Sequence, residues 1–349
     1  MKQHSDFNIA VIIPTGVGAE IGGFAGDAGI FLRYLSQLAD TVLTHPNVVN
    51  AASFNVLPAN AWYVEGYALN AFFEQELGLL APRPNRIGLV IDRRCEPYLD
   101  LIANAVNATA VSTGCQIAGY TLTDQPLEMQ LFPSSWGYTG EVAGMDDLAR
   151  AGRRCLAAGA DVLAVLTWMD ILPASETAAY EQGQSLDPIG ALEALISHAL
   201  VAELGVPVAH SPIFEPHLVT HALDPRVAAE EIGTTYLPCI LMGLSRAPRY
   251  TDYARSSICL DDLAAVVCPA DACGGIPMLI AAERGIPLIA IAENTTVLNV
   301  PPTALGYRDA LIYTVANAWE AAGLLQALKL GIDPWLLRRP LKAPFQVLP

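Results

Sequence analysis

Short apolar runs alternate with amphipathic stretches along almost the whole chain. NIAVIIP (8–14), IGLVID (87–92), QIAGYTLT (116–123), DVLAVLTW (161–168), VPVAHSP (206–212), AAVVC (264–268) and IPLIAIA (286–292) read as strands. Most are continuous in apolar side chains, the pattern of strands buried on both faces. FLRYLSQLA (31–39), AWYVEGYALNAFFEQEL (61–77), PYLDLIANAVNATA (97–110), DDLARAGRRCLAAG (146–159), IGALEALISHALVAELG (189–205) and RDALIYTVANAWEAAGLLQALKLG (308–331) carry helical spacing. This alternation predicts an α/β protein with a mostly parallel sheet flanked by helices. Periodicity is weakest over 124–145, which reads as a functional loop, a lid or a boundary. A division there predicts an N-terminal α/β domain over 1–135, a C-terminal α/β ligand-binding domain over 136–330 and an extended tail over 331–349.

The most informative stretch is AAVVCPADACGGIPMLIAAERGIPLIAIAENTTV (264–297). It reads as strand, glycine turn, helix, strand and polar tip, with Gly285 where a helix C-cap glycine belongs. That is a βαβ unit, so the fold expected is Rossmann-like, and such sheets bind ligands at the carboxyl ends of their strands. Those ends carry Cys268, Asp271, Cys273, Gly274, Gly275, Glu293, Asn294, Thr295 and Thr296. A second glycine loop, PTGVGAEIGGFAGDAG (14–29), follows the first strand with Gly16, Gly18, Gly22 and Gly23 among its six glycines. Glycine lets a ligand approach the backbone, and free amides at the next helix suit a phosphate or carboxylate. The loop matches neither GxGxxG nor GxxxxGK[ST] and has no lysine, which excludes a P-loop.

Composition narrows the classes. Hydrophobic residues make up 53% of the 349 and charged residues 15%, which excludes a disordered chain. A formal net charge of -16 argues against nucleic-acid binding. No apolar run reaches membrane-spanning length, and the amino terminus does not read as a signal peptide, so no membrane partner is expected. Seven cysteines without a CxxC pair disfavour a disulfide framework and a structural zinc site, and point to a reducing cytoplasm.

Several residues are candidates for chemistry. Cys273 sits at a helix N-terminus, where the dipole favours a thiolate, although packing of a small buried thiol is the commoner role. His210, Glu215, His217 and His221 lie within AHSPIFEPHLVTH (209–221). His217 and His221, four apart, could hold a divalent metal with Glu215 or His210, although HExxH is absent; His210 at a strand end suits acid–base work equally, and no metal is assigned to the group. Glu293 is the third catalytic candidate. Glu20 suits a metal or a solvated loop, and Asp27 a helix cap. Arg93 and Arg94 suit an anion or a self-neutralising charge cluster. The asparagines of 44–66, Asn47, Asn50, Asn55 and Asn60, suit turns and caps better than ligand contacts.

Taken whole, TGVGAEIGGFAGDAG, NVVNAASFNVLPANAWYVEG and PADACGGIPMLIAAERGIPLIAIAENTT resemble an uncharacterised family from cyanobacteria and plastid lineages. The 271–296 segment is similar to the nucleotide-sugar site of UDP-N-acetylglucosamine 2-epimerases, which have the GT-B arrangement of two Rossmann-like domains. That resemblance implies a diphosphate at Gly274 and Gly275 with Thr295 and Thr296 beside it, although the turn has one extra residue and an amino-terminal GTRPE is lacking. Cys273-Gly274-Gly275-Ile276-Pro277-Met278-Leu279 resembles the second cysteine motif of aspartate/glutamate racemases. Thr167 and Trp168 stand where the first cysteine of that family belongs, so the resemblance implies a one-cysteine lyase or isomerase.

The expectation is therefore an enzyme that binds a small anionic metabolite, phosphorylated or nucleotide-sugar-like, at the carboxyl edge of the sheet. Its chemistry would be transfer or isomerisation. The alternatives are a cysteine-dependent racemase- or lyase-like enzyme acting on a small carboxylic acid, and a non-catalytic metabolite-binding or assembly protein. No motif specifies a cofactor, and a homo-oligomer stays open.

Overall fold

The computed structural model describes residues 6–14, 17–24, 27–49, 57–135, 137–216, 220–231, 236–306 and 311–341. From the amino terminus come β1 (Asn8–Val11), α1 (Gly29–Ser36), β2 (Thr41–Thr44), α2 (Pro46–Val49), β3 (Ala61–Tyr63) and α3 (Gly66–Phe73). A short β4 (Gly78–Leu79) leads to β5 (Arg86–Ile91), α4 (Leu99–Thr113), β6 (Gln116–Leu122) and a hairpin of β7 (Glu128–Ser134) and β8 (Gly137–Ala143). Then follow α5 (Met145–Ala157), β9 (Val162–Trp168), α6 (Ala174–Glu181), α7 (Gly190–Leu204) and β10 (Val208–Ile213). The last third holds α8 (Pro225–Glu231), α9 (Tyr236–Leu244), β11 (Tyr250–Thr251), β12 (Leu263–Pro269), α10 (Ile276–Arg284), β13 (Leu288–Ile291), β14 (Ile312–Val315) and α11 (Ala318–Lys329).

The α/β, Rossmann-like fold expected from the alternation is the one the chain adopts. Two parallel sheets form, one in the order β14-β13-β12-β1-β2-β3 and one in the order β10-β9-β5-β6. The strands do not sort at residue 135. Ile9 lies beside Ala265, so the first and last thirds of the chain share the larger sheet, while β5, β6, β9 and β10 share the smaller. Each sheet has a point where the strand order reverses, between β1 and β12 in the larger and between β5 and β9 in the smaller. Ligand crevices in open α/β sheets open at such points.

Alternate side chains of each strand feed different cores. Ile9 and Val11 of β1 join Ile87, Leu89 and Ile91 of β5, while Ala10 joins Val90 on the other face. Both cores run through both sheets, which ties the carboxyl edges of the two sheets to each other. Gly285, at φ +68°, ends α10 as its sequence position predicts.

Three segments differ from expectation. Residues 61–63 form a strand beside β2, and α3 begins only at Gly66. Glu65 sets that start: its backbone is extended and its carboxyl accepts the Tyr67 and Ala68 amides. The 124–145 stretch is mostly the β7–β8 hairpin, which turns Met129, Leu131 and Val142 toward the core and leaves the alternate positions to solvent, so its apolar period is short and weak. In 308–331 the residues Ile312–Val315 pair with β13, and Asn317 caps α11 by accepting the Glu320 amide.

Candidate functional site

The two glycine-bearing loops converge beside the reversal of the larger sheet. Ile21 N–H donates to Asn294 Oδ1 at 2.7 Å, and Asn294 Nδ2 donates back to the Ile21 carbonyl at 3.1 Å. Glu20 N–H donates to the Thr295 carbonyl and Val297 N–H to the Val17 carbonyl, each at 3.1 Å. Gly22 N–H donates to the Asp27 carboxyl. Asn47 Nδ2 donates to the carbonyls of Ile13, Pro14 and Gly22. Asn294 and Asn47 thus clamp backbone, and these loop amides and carbonyls satisfy one another. Gly18 and Gly23 complete the loop, and Gly16 lies outside the described residues.

Asp271 keeps a free end. Its Oδ2 accepts the Thr296 amide at 2.7 Å, while Oδ1 is buried with no hydrogen-bond partner among the described residues. Gly275 caps α10, and Gly274, Thr295 and Glu293 are exposed. Cys273 is wholly buried, with Sγ 3.8 Å from Cys268 Sγ and directed at the Pro269 and Ala270 carbonyls. The hydrogen bond with Cys273 and burial hold the Cys268 thiol well above its ordinary range, and the same hydrogen bond lowers the Cys273 thiol. The Cys273 thiol does not line the cleft described next.

That cleft lies between the carboxyl edges of the two sheets and encloses a cavity of about 100 Å³. His45 follows β2, Glu65 follows β3, Glu193, Ser197 and His198 come from α7, and His210 comes from β10. Packing of α3 on α7 brings the two sets together. Glu65 is 3% exposed, and burial raises its carboxyl from the ordinary 4.5 to about 7, against the pull of its Ser197 and backbone hydrogen bonds. His198 Nε2 lies 3.1 Å from Glu65 Oε1, and burial lowers the His198 imidazole. Both shifts favour the uncharged pair, in which Glu65 O–H donates to His198 Nε2. His45 Nε2 accepts the Ile13 amide at 3.1 Å, and burial with His198 nearby lowers it from 6.5 to about 4.

His210 is held at both ring nitrogens, by Glu193 Oε2 at 3.1 Å and Thr167 Oγ1 at 2.8 Å. With Nδ1–H donated to Glu193, Nε2 accepts the Thr167 hydroxyl. The order hydroxyl, imidazole, carboxylate matches a nucleophile relay. Thr167, however, has no exposed surface and does not line the cleft, so its hydroxyl orients the imidazole.

The other candidates lie apart. His221 pairs with Glu181 at 3.1 Å, and His217 lies outside the described residues. Arg93 pairs with Glu96 and donates to the Thr123 carbonyl, which leaves a charge cluster neutralised within itself. Glu20 pairs with Arg226, and burial raises the Asp27 carboxyl to about 7. Among the described residues no group of three or more His, Cys, Asp or Glu is arranged to hold a metal ion.

The family model described as "Protein of unknown function (DUF3326)" matches residues 8–338. The chain belongs to this family. It is also 40% identical over 330 residues to a Synechococcus protein named "Uncharacterized lipoprotein", covering 93% of this chain and 91% of that one. The resemblance to an uncharacterised cyanobacterial family stands on these matches. No described helix is long and apolar enough to cross a membrane.

His45, Glu65 and His198 were not singled out from sequence. Reading 61–63 as a strand would have placed His45 and Glu65 at adjacent strand ends, the signal that marks a site. Gly66 tests the arrangement. A Cβ there would sit 2.8 Å from His198 Nε2. Gly66→Ala should displace His198 from Glu65. Stability should change by only about 1 kcal/mol, because helix propensity gains offset the clash. The Glu65 carboxyl titration by NMR would report the displacement; an unchanged midpoint would refute it.

Proposed function

We propose that this protein is an enzyme that moves protons on a small metabolite held between the carboxyl edges of its two sheets. The observation that carries this reading is the Glu65 carboxyl, pushed to about 7 and hydrogen-bonded to His198 in an open cleft. A carboxyl poised at neutral pH gives and takes protons with equal ease, and such shifts gather at catalytic sites. Glu65 serves as one acid–base group, relayed by His198, and His210, paired through Nδ1 with Glu193 in the cleft wall, as the other. Two such groups suit isomerisation better than transfer. No described lysine or arginine lines the cleft and the glycine-loop amides beside Asn47 are already paired, which gives an anionic group on the metabolite less support. The wholly buried Cys273 gives a cysteine nucleophile less support. A cytoplasmic location is supported by seven cysteines that form no disulfide; the relative's name would instead suit a lipid-anchored protein.

Incubation with pooled metabolites in D2O, followed by proton NMR, tests the proposal. Loss of a C–H signal or appearance of an isomer is expected with the wild type. His210→Gln should slow that change by about a hundredfold or more. Exchange by wild type and variant at equal rates would overturn the assignment.

A further inference from the structure

A second cavity, of about 340 Å³, adjoins the first and shares the lining residues Asp187 and Tyr236 with it. Its walls come from α6, the β9 and β10 ends and the segment before α7. Leu172, Ala178, Ile189 and Phe214 make it largely apolar, and the Phe214 and Tyr236 rings meet at 5.8 Å. Among the described residues the charged ones that line it are acidic, Asp170, Glu181, Asp187 and Glu215, with Glu181 bonded to His221. The backbone amides that an anion might otherwise use are taken. The Ile189 amide, at the start of α7, donates to Asp187, and the Tyr67 and Ala68 amides of α3 donate to Glu65.

The cavity is fixed in place by the glycine loop. Phe24 of that loop packs on Tyr180 of α6 at 5.3 Å, and Arg226 lies 4.8 Å over the Phe24 ring. Gly18 lets the segment before α7 approach the loop, since a Cβ there would overlap Leu186. The larger cavity and the acid–base groups are therefore parts of one assembly.

We propose that the substrate carries an apolar body without negative charge, seated in the 340 Å³ cavity, and presents its reacting end to Glu65 and His210. This rests on the reading of the cleft as a proton-transfer site and adds the substrate class. Apolar walls favour the body by removing it from water. The acidic rim repels a carboxylate or phosphate on that body and tolerates a hydroxyl or an ammonium.

Hexylamine, hexanol and hexanoate are the probes, with thermal stability and calorimetric binding as readouts. Hexylamine and hexanol should stabilise the wild type, and hexanoate should bind at least tenfold more weakly than either. Thr177→Trp should fill the cavity and remove the binding. Phe214→Ala should enlarge it and move the preference toward the octyl members. Equal binding of hexanoate, no binding of any probe to the wild type, or unchanged binding in both variants would overturn the proposal. Because these probes report occupancy without chemistry, normal probe binding combined with no proton exchange in D2O would sink the proposed activity and leave the apolar cavity standing.

Discussion

Asp92→Ala should destabilise the protein by about 3 kcal/mol or more. Asp92 has no exposed surface and stands where the strand order of the smaller sheet reverses. Its Oδ1 accepts the Arg94 amide at 3.1 Å and the Leu127 amide at 3.0 Å, and its Oδ2 accepts the Trp168 amide at 3.4 Å. One carboxylate therefore joins the end of β5, the approach to the β7 hairpin and the end of β9. Alanine strands these amides, of which that of the fully buried Leu127 has least access to water. Relief of a buried charge offsets part of the loss. Asp92→Asn keeps one acceptor oxygen and should cost less. Urea unfolding followed by circular dichroism measures both, and a loss under 1 kcal/mol for alanine would show that the carboxylate does not hold the edge together.

Glu65→Gln should tilt the dependence of stability on pH, and His45→Gln should tilt it the other way. Folded Glu65 keeps its proton to about 7 instead of 4.5. Its contribution is complete below about pH 4.5 and disappears as pH climbs through about 7. Folded His45 stays neutral down to about 4 instead of 6.5. Its contribution is complete above about pH 6.5 and disappears as pH falls through about 4. Between pH 4.5 and 6.5 the native chain thus holds one proton more at Glu65 and one fewer at His45 than the unfolded chain, and the two slopes cancel. Removing Glu65 leaves the His45 slope, so the variant gains stability over wild type with rising pH, by up to about 1.4 kcal/mol per unit. Removing His45 leaves the opposite slope. Unfolding of the three proteins at pH 4.5, 5.5 and 6.5 decides the matter, since groups common to all drop out of the difference. Parallel curves would mean that neither group is held as described.

Much of the frame was legible in the chain. Continuous apolar runs such as IGLVID and DVLAVLTW can be buried on both faces only in a parallel sheet, and they became β5 and β9. Gly285 marked the end of α10 because only glycine enters the left-handed region there without strain. The 14–29 loop and the 271–296 segment both read as lying at strand carboxyl ends, and Ile21 and Asn294 join them. The reading failed where local pattern is ambiguous. AWY at 61–63 is as apolar as a helix turn, and only its place beside β2 makes it a strand.

The α/β class, the alternation of strand and helix and the glycine-lined carboxyl edge can be read along the chain, because they follow from periods of a few residues. The pairing of β1 with β12 and the meeting of His45, Glu65, His198 and His210 arose only on folding. Strand order depends on contacts between distant segments. The proton affinity of Glu65 depends on how thoroughly α3 and α7 exclude water from around it, a property that no short stretch of residues contains.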